Sequence, residues 1–286
     1  MTLPKLTWNF DPLFASLPLA GLGTIRISYY GLLFSAALLG GYALLHWQVR
    51  RGGGTAKDDG DFVPYAIVGV LVGARLGHML FYDLDRALAD PLLVLRIWTG
   101  GLASHGAAVG LILATFVYTR RRRVPFLEGL DRLAFSTAFS VALVRVGNFL
   151  NSEIVGRQTD QTWGVQFLRY PPDQSLPAVP YRHPAQLYEA GLGLVVLAAL
   201  FIADRAWGQE RRPRGALISL AGLLYFAGRF FLEFIKEYQT LAAGSLLTMG
   251  QWLSIPCAAL AAWGLWWSFQ RRLPAGWTPQ GSPAAK

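Results

Sequence analysis

The sequence predicts an all-α polytopic membrane protein with about seven transmembrane helices and a small extracytoplasmic cap. The chain of 286 residues is 53% apolar and 13% aromatic, its charged residues make up 15%, and its mean hydropathy is +0.35. An average soluble domain has about 25% charged residues, so this chain lacks the polar surface of a soluble protein. Its apolar content excludes a disordered chain. The single cysteine, Cys257, excludes an internal disulfide framework.

Seven stretches approach the length of about 20 mostly apolar residues that a spanning helix needs. Several of them contain glycine or a charged residue, which favours a bundle with a polar interior. We therefore expect a single integral membrane domain over residues 1–286. The predicted spans are residues 25–47, 62–82, 101–119, 132–150, 186–203, 215–235 and 249–269.

The distribution of lysine and arginine predicts the orientation in the membrane. The alternate segments outside the spans carry 14 of these residues on one side and 7 on the other. The richer side should face the cytoplasm, so we expect the N-terminus outside and the C-terminus inside. The basic residues form short clusters beside apolar spans, which indicates anchoring rather than nucleic-acid binding. We also expect no cleavable signal peptide, because residues 1–24 lack a basic start followed by an apolar core.

Residues 151–185 form the one sizeable exterior segment, and we expect them to be the extracytoplasmic cap. Pro171, Pro172, Pro177 and Pro180 exclude one long helix over this segment. Residues 162–167 are a candidate for a short strand.

Five arginines lie within the predicted spans or at their edges. An arginine at the centre of a spanning helix costs about 2.5–3.5 kcal/mol on insertion scales. Arg26 and Arg132 lie at span ends, where we expect them to reach the membrane surface. Arg75, Arg145 and Arg229 lie further in and need a partner or a polar cavity.

Arg229 shares one helical face with two other polar residues. Tyr225, Arg229 and Glu233 follow each other at intervals of four, a spacing that places them on adjacent turns. One interpretation is a structural ion pair between Arg229 and Glu233. The other is a polar stripe that faces a functional site.

Arg145 has Asn148 on its own face and no acidic residue within one turn. An arginine with an asparagine and a glycine beside it, near the outer end of a span, suits an anionic oxygen such as that of a phosphate. A helix–helix hydrogen-bond cluster packed through Gly147 is the alternative.

His105 lies among glycines and small residues that allow close approach of a backbone or a lipid. Taken alone, it is more often structural than catalytic. The sequence lacks the metalloprotease motif H-E-x-x-H and the hydrolase motif G-x-S-x-G, and none of its clusters has the spacing of metal ligands.

Seven motifs, in order along the chain, together resemble the bacterial prolipoprotein diacylglyceryl transferases. The most specific is residues 145–157, RVGNFLNSEIVGR, and the resemblance covers roughly residues 22–269. Ala107 and Ser104 depart from the usual residues around the histidine of the third motif. The other motifs are residues 30–31 (YG), 73–77 (GARLG), 100–106 (GGLASHG), 182–189 (RHPAQLYE), 229–234 (RFFLEF) and 248–254 (TMGQWLS).

The resemblance implies transfer of the diacylglyceryl group of phosphatidylglycerol to the thiol of a lipobox cysteine in a secreted precursor protein. A thioether forms and glycerol phosphate leaves. Fixed positive charge on Arg145 and Arg229 would stabilise the leaving phosphate, and His105 is the candidate base for the thiol. The resemblance implies no metal or organic cofactor. The further residues expected to contact lipid or phosphate are Tyr30, Asn148, Glu153, Gly156, Tyr225 and Glu233.

The implied partners are phosphatidylglycerol, the prolipoprotein signal peptide and the lipid bilayer, without nucleic acid. The implied location is the bacterial inner membrane. Two alternatives remain open from the sequence: a non-catalytic or divergent paralogue that binds anionic lipid, and a transporter of small solutes. The paralogue alternative would be favoured by loss of Arg145, Asn148 or Arg229, and all three are present.

Overall fold

A computed structural model describes residues 6–19, 23–96, 100–170, 178–237 and 246–277. The contacts within the chain group these residues into two units. The first unit comprises residues up to 44, 134–209 and 216–272, and the second comprises 45–133, 210–215 and the residues from 273 onward. The helices are α1 (Tyr29–Arg51), α2 (Ala56–Phe81), α3 (Leu84–Ala89), α4 (Ser104–Arg122), α5 (Phe126–Leu150), α6 (Ala185–Ala206), α7 (Ala216–Leu232) and α8 (Met249–Arg271).

The predicted all-α class is confirmed, because a long helix occupies each of the seven stretches predicted as spans. Within the described ranges, five helices are both long and apolar enough to cross a membrane. These are α1, α2, α5, α6 and the region of α7. The helices α4 and α8 occupy the two remaining stretches, and the count of seven spans stays a prediction.

Short strands accompany the helices of the first unit. They are β1 (Leu6–Trp8), β2 (Leu13–Leu19), β3 (Gly23–Ser28), β4 (Val165–Phe167) and β5 (Tyr181–Arg182). β2 and β3 form an antiparallel hairpin, while β4 pairs in parallel with β1 and antiparallel with β5. β4 confirms a short strand within residues 162–167. The predicted cap residues 171–177 lie outside the described residues.

The predicted position of Arg26 at the end of span 1 is wrong. Arg26 lies in β3 opposite Ser16, and α1 begins three residues later, at Tyr29. The alternation of Ile25 and Ile27 around Arg26 suits a strand. Ser28 then starts the helix, since its hydroxyl accepts a hydrogen bond of 3.0 Å from the Gly31 amide.

In the first unit, α5, α6 and α7 meet in an apolar core around Phe135, Val196, Leu200 and Leu217. α5 and α6 approach closely at Gly193, where an added Cβ would lie 3.1 Å from the backbone nitrogen of Ala142. This packing fixes the helices that carry the site residues.

In the second unit, α2 and α4 pack through glycines. Gly69, Gly73 and Gly77 of α2 face Gly106 and Gly110 of α4 so closely that none has room for a Cβ. Small residues at such a crossing let two helix backbones meet, which is typical of membrane helices.

Arg75 finds its partners in the backbone of the segment that follows α2. Its guanidinium donates to the carbonyl oxygens of Leu93 and Gly100, and at 3.3 Å to those of Val94 and Gly101. The residue is 2% exposed. Arg75 was expected to need a partner or a polar cavity. Backbone carbonyl groups provide that partner and compensate the positive charge of its guanidinium.

The prediction that Arg132 reaches the membrane surface is wrong. Its side chain is fully buried, and its Nε donates to Glu128 at 2.7 Å while its Nη2 contacts Glu210. Glu128 lies one turn earlier on α5, and Glu210 belongs to the connection between α6 and α7, so the charge is compensated in place. We call the group around them the Glu128 cluster; its members are Arg51, Glu128, Asp131, Arg132, Glu210 and Arg212.

Glu210 is held ionised within this cluster. Burial alone would raise its pKa, but hydrogen bonds and positive charge from Arg132, Arg212 and Arg51 lower the pKa of Glu210 to about 2.

Candidate active site

Three basic side chains of the first unit converge on the carboxylate of Glu189, which lies in the second turn of α6. The Nε of Arg145, on α5, lies 2.6 Å from Glu189 Oε2. Arg229 Nη1, on α7, donates to Glu189 Oε1 at 2.8 Å. Lys236 Nζ donates to the same oxygen at 3.1 Å. The side chain of Glu189 is 3% exposed, so this carboxylate requires charged partners.

We call these residues, together with Glu233, the Glu189 cluster. Glu233 Oε2 lies 3.6 Å from Arg229 Nη2. The predicted pair of Arg229 and Glu233 therefore exists, but Glu189 is the closer partner of Arg229. Arg145, without an acidic residue within one turn of its own helix, finds its acid 44 positions further along the chain.

Glu189 and Lys236 are the two members that were not predicted as site residues. Glu189 was visible in the sequence as the acid that closes the motif at residues 182–189. Arg145 and Arg229 were both predicted to lie inside the membrane, and Arg145 has no acidic residue within one turn of its own helix. This pattern signalled that an acidic partner on another helix is needed. Lys236 gave no comparable signal, because it falls just beyond the predicted span.

Asn148 and Glu153 form a second contact pair next to Arg145. Asn148 Nδ2 donates to Glu153 Oε1 at 2.7 Å, and Arg145 Nη1 lies 3.4 Å from Asn148 Oδ1. α5 ends at Leu150, and the backbone amide of Glu153 then donates to the Asn148 carbonyl at 3.0 Å. The chain thus turns back over the end of α5 and brings Glu153 to Asn148.

The turn after α5 contains backbone strain. Ser152 and Ile154 have positive φ angles of 55° and 58°. A β-branched residue such as Ile154 rarely adopts this conformation, at a cost of about 1–3 kcal/mol. The packing of the site must compensate for this cost.

Gly156 lies where three backbone segments meet. An added Cβ would lie 2.7 Å from the His183 carbonyl oxygen and 2.7 Å from the Ile235 carbonyl oxygen. The Gly156 amide donates to the His183 carbonyl at 2.9 Å, and Gly156 forms a bridge with Lys236. Packing alone therefore requires glycine at position 156, independently of any contact between this residue and a substrate.

The two predicted tyrosines also belong to the first unit. The ring of Tyr30 covers Gly147, since a Cβ at Gly147 would lie 2.8 Å from Tyr30 Cδ2. Tyr225 precedes Arg229 by one turn of α7 and packs beside the core around Leu217.

The motif at residues 248–254 starts α8 and makes room for Glu233. Thr248 and Gln251 form a reciprocal capping box. A Cβ on Gly250 would lie 2.6 Å from Glu233 Oε2, so glycine leaves space for this carboxylate.

His105 lies in the second unit, in the first turn of α4. Its ring packs edge-on against Phe81, with centroids 4.9 Å apart, and lies 6.0 Å from the ring of Tyr82. Its assignment as a base stays a prediction.

Among the residues that the structure describes, no group of three His, Cys, Asp or Glu side chains is arranged as metal ligands. The chemistry that the described site offers is electrostatic. In the Glu189 cluster three cations contact two carboxylates directly, while the nearby Glu153 carboxylate is bound to Asn148 instead. This local excess of positive charge suits an anionic oxygen.

The fold and the cluster define a class: a multi-pass membrane protein in which two arginines and a lysine surround a buried carboxylate. The chain belongs to the prolipoprotein diacylglyceryl transferase family, whose model matches residues 18–267. The resemblance predicted from the motifs is thereby confirmed.

Relatives with the name phosphatidylglycerol–prolipoprotein diacylglyceryl transferase cover most of the chain. The relative from Tolumonas auensis is 40% identical over 253 residues, which are 88% of this chain and 93% of the relative. A relative from Coxiella burnetii is 35% identical over 256 residues, 88% of this chain and 94% of the relative. One from Legionella pneumophila is 34% identical over 265 residues, 91% and 97% of the two chains.

Proposed function

We propose that this chain is a transferase that moves the diacylglyceryl group of phosphatidylglycerol to the cysteine thiol of a prolipoprotein lipobox. The convergence of Arg145 and Arg229 on one buried carboxylate carries the proposal. Family membership and the names of the relatives support the same reaction.

In this reaction the cysteine sulfur forms a bond to the glyceryl carbon, and the bond from that carbon to the phosphate oxygen breaks. The electron pair of the broken bond leaves with glycerol phosphate. The thiol proton leaves with a base and balances the charge that the phosphate gains. No cofactor enters this proposal.

Arg145 and Arg229 stabilise the negative charge that develops on the leaving phosphate. Fixed guanidinium groups in a site with little water act strongly on such charge, because they need not reorganise during the reaction. Both side chains are largely shielded from solvent, with exposures of 15% and 22%.

The remaining predicted residues take supporting roles in this proposal. Tyr30, Asn148, Glu153, Tyr225 and Glu233 contact the lipid headgroup, and Gly156 allows close approach of the backbone. His105 accepts the thiol proton, since a base raises the fraction of the reactive thiolate.

We further propose that residues 1–286 form one integral domain of the bacterial inner membrane. In this arrangement the N-terminus lies outside, the C-terminus lies in the cytoplasm, and residues 151–185 form the outer cap.

The test is an assay of the purified protein in detergent with phosphatidylglycerol and a peptide that contains one lipobox cysteine. We expect glycerol phosphate release that depends on this cysteine, and a peptide mass increased by one diacylglyceryl group. Folded protein that binds phosphatidylglycerol without releasing glycerol phosphate would favour a non-catalytic paralogue. Accumulation of a solute in proteoliposomes without a covalent product would favour a transporter.

Arg145→Ala should abolish transfer while the protein remains folded. Arg26→Ala is the matched control, because Arg26 is an exposed arginine of the same unit. Normal turnover by folded Arg145→Ala protein would contradict the role of this residue.

A further inference from the structure

Lys236 occupies a fixed position directly after the 3-10 turn Glu233–Ile235, which follows α7. Its amide lies 3.3 Å from the Glu233 carbonyl oxygen, to which it donates, and its own carbonyl accepts a hydrogen bond of 2.7 Å from Arg157 Nε. Its side chain is 4% exposed and reaches Glu189. Since a buried ammonium is costly, the pairing with Glu189 must compensate for it.

The arginines of the Glu189 cluster engage Glu189 with part of their donors. A guanidinium has five N–H groups. The contact of Arg145 Nη1 with Asn148 is 3.4 Å long, and that of Arg229 Nη2 with Glu233 is 3.6 Å long. Good charge-assisted hydrogen bonds are about 2.7–2.9 Å long. Both arginines therefore have loosely held N–H groups that a phosphate oxygen can take.

We propose that Lys236 is a positioning residue for the transfer reaction: it holds the Glu189 carboxylate so that Arg145 and Arg229 keep N–H groups for the substrate phosphate. The proposal rests on the proposed function and deepens it, because it names the residue that sets the charge balance of the phosphate site. Without Lys236, two arginines alone would have to compensate Glu189. They would turn more donors toward it, and the phosphate would compete with Glu189 for them.

The first test compares Lys236→Met with Lys236→Arg in the assay described above. We expect Lys236→Met to raise the KM for phosphatidylglycerol by about tenfold or more, with a smaller effect on kcat, because ground-state binding of the phosphate is weakened. Lys236→Arg should restore most of the activity, because it keeps the charge.

Glu237→Gln is the matched control. It removes a charge from the neighbouring residue, whose carboxylate contacts Arg182 at 2.9 Å and Tyr170 at 2.7 Å. We expect its KM and kcat to match those of the unmodified protein.

The second test measures how the activity ratio of two variants changes with pH. A merely structural role of Lys236 would not change this pH profile. Burial lowers the pKa of Lys236, Arg229 and Arg145 lower it further, and Glu189 and Glu233 act against this shift. These groups face Lys236 from α5, α6, α7 and the 3-10 turn that follows α7. Because arginine stays charged, the ratio of Lys236→Arg activity to unmodified activity should rise as the pH increases toward the alkaline range. The same peptide is used throughout, so ionisation of its thiol cancels in the ratio.

An unchanged KM and kcat in folded Lys236→Met protein would overturn the proposal. If that variant fails to fold, a ratio that stays constant with pH would overturn it instead. Absence of turnover in the unmodified protein would contradict the proposed function itself. Turnover with no effect at Lys236 would contradict the positioning role alone.

Discussion

Glu128 and Glu189 are buried carboxylates that contact two and three basic side chains respectively, yet the charge balance of the surrounding clusters differs. The Glu128 cluster has three arginines and three acidic residues, so its charges match. In the Glu189 cluster three basic residues contact two acidic ones directly, and the nearby Glu153 carboxylate contacts Asn148 rather than a basic side chain. A matched cluster holds structure together, whereas an excess of positive charge leaves room for an anion.

At the Glu128 cluster, Glu128→Gln should destabilise the protein strongly. The change leaves Arg132 and Arg212 buried with less compensation, and breaking a buried ion pair costs about 3–5 kcal/mol. Thermal unfolding in detergent measures the effect. Asp61→Asn, at a side chain that is 45% exposed, is the control and should change Tm little. Equal Tm values for the two variants would contradict this role of Glu128.

The pKa of Glu210 gives a prediction about pH. Because its folded pKa of about 2 lies below the ordinary value of 4.5, its ion pairs stabilise the protein above pH 4.5. This stability is lost as the pH falls from 4.5 toward 2. The difference in Tm between the unmodified protein and Glu210→Gln should therefore be constant from pH 8 to 5 and shrink below pH 4.5. A difference that grows in acid would contradict this interpretation.

For His105, the role of base predicts that His105→Gln lowers the transfer rate by about 100-fold or more and changes the pH profile of turnover. The two side chains have similar size, so the packing against Phe81 should be retained. A retained rate with an unchanged pH profile would argue against a base at this position.

At the scale of the elements, the glycine crossing of α2 and α4 sets how closely these helices pack. In Gly69→Ala the new methyl group would lie 2.7 Å from the Cβ of Ala114, so the helices must separate. Overpacking of this kind typically costs about 1–3 kcal/mol. Gly60→Ala on the same helix meets no atom within 4 Å, and it should leave Tm unchanged or raise it. Similar Tm values for both variants would show that the crossing tolerates a wider spacing.

The elements also show how far sequence reasoning extends. The helices were predictable, because spans need long apolar stretches whatever their neighbours. The hairpin of β2 and β3 was missed, since the apolar residues of 25–28 run directly into those of α1. At the site, the cost of a charge in a membrane identified Arg145 and Arg229. Helix periodicity did not show that Glu189 is their shared partner, because it reports the neighbours on one helix and not those on another.

At the scale of the whole molecule, the distribution of basic residues predicts the topology. A reporter that is active in one compartment can be fused after each of these segments. We expect Lys57 and Arg123 to lie on the same side of the membrane as residue 270, and Arg96 and Arg157 to lie on the other side. Labelling of cysteines introduced at these positions, in a Cys257→Ser background, provides an independent measurement. A reporter pattern with two adjacent segments on one side would contradict the count of seven spans, and a fully reversed pattern would contradict the predicted orientation.

The hydrogen bonds of Arg75 also bear on biosynthesis. The carbonyl oxygens that accept these hydrogen bonds belong to residues 18 to 26 positions further along the chain. When α2 has just been made, these acceptors do not yet exist, and the arginine would enter lipid without them. We therefore expect α2 to leave the insertion machinery together with the segment that follows it, as a closed hairpin rather than as a single helix. Truncation of the nascent chain before residue 93 should leave α2 poorly inserted, and extension beyond residue 101 should restore its insertion.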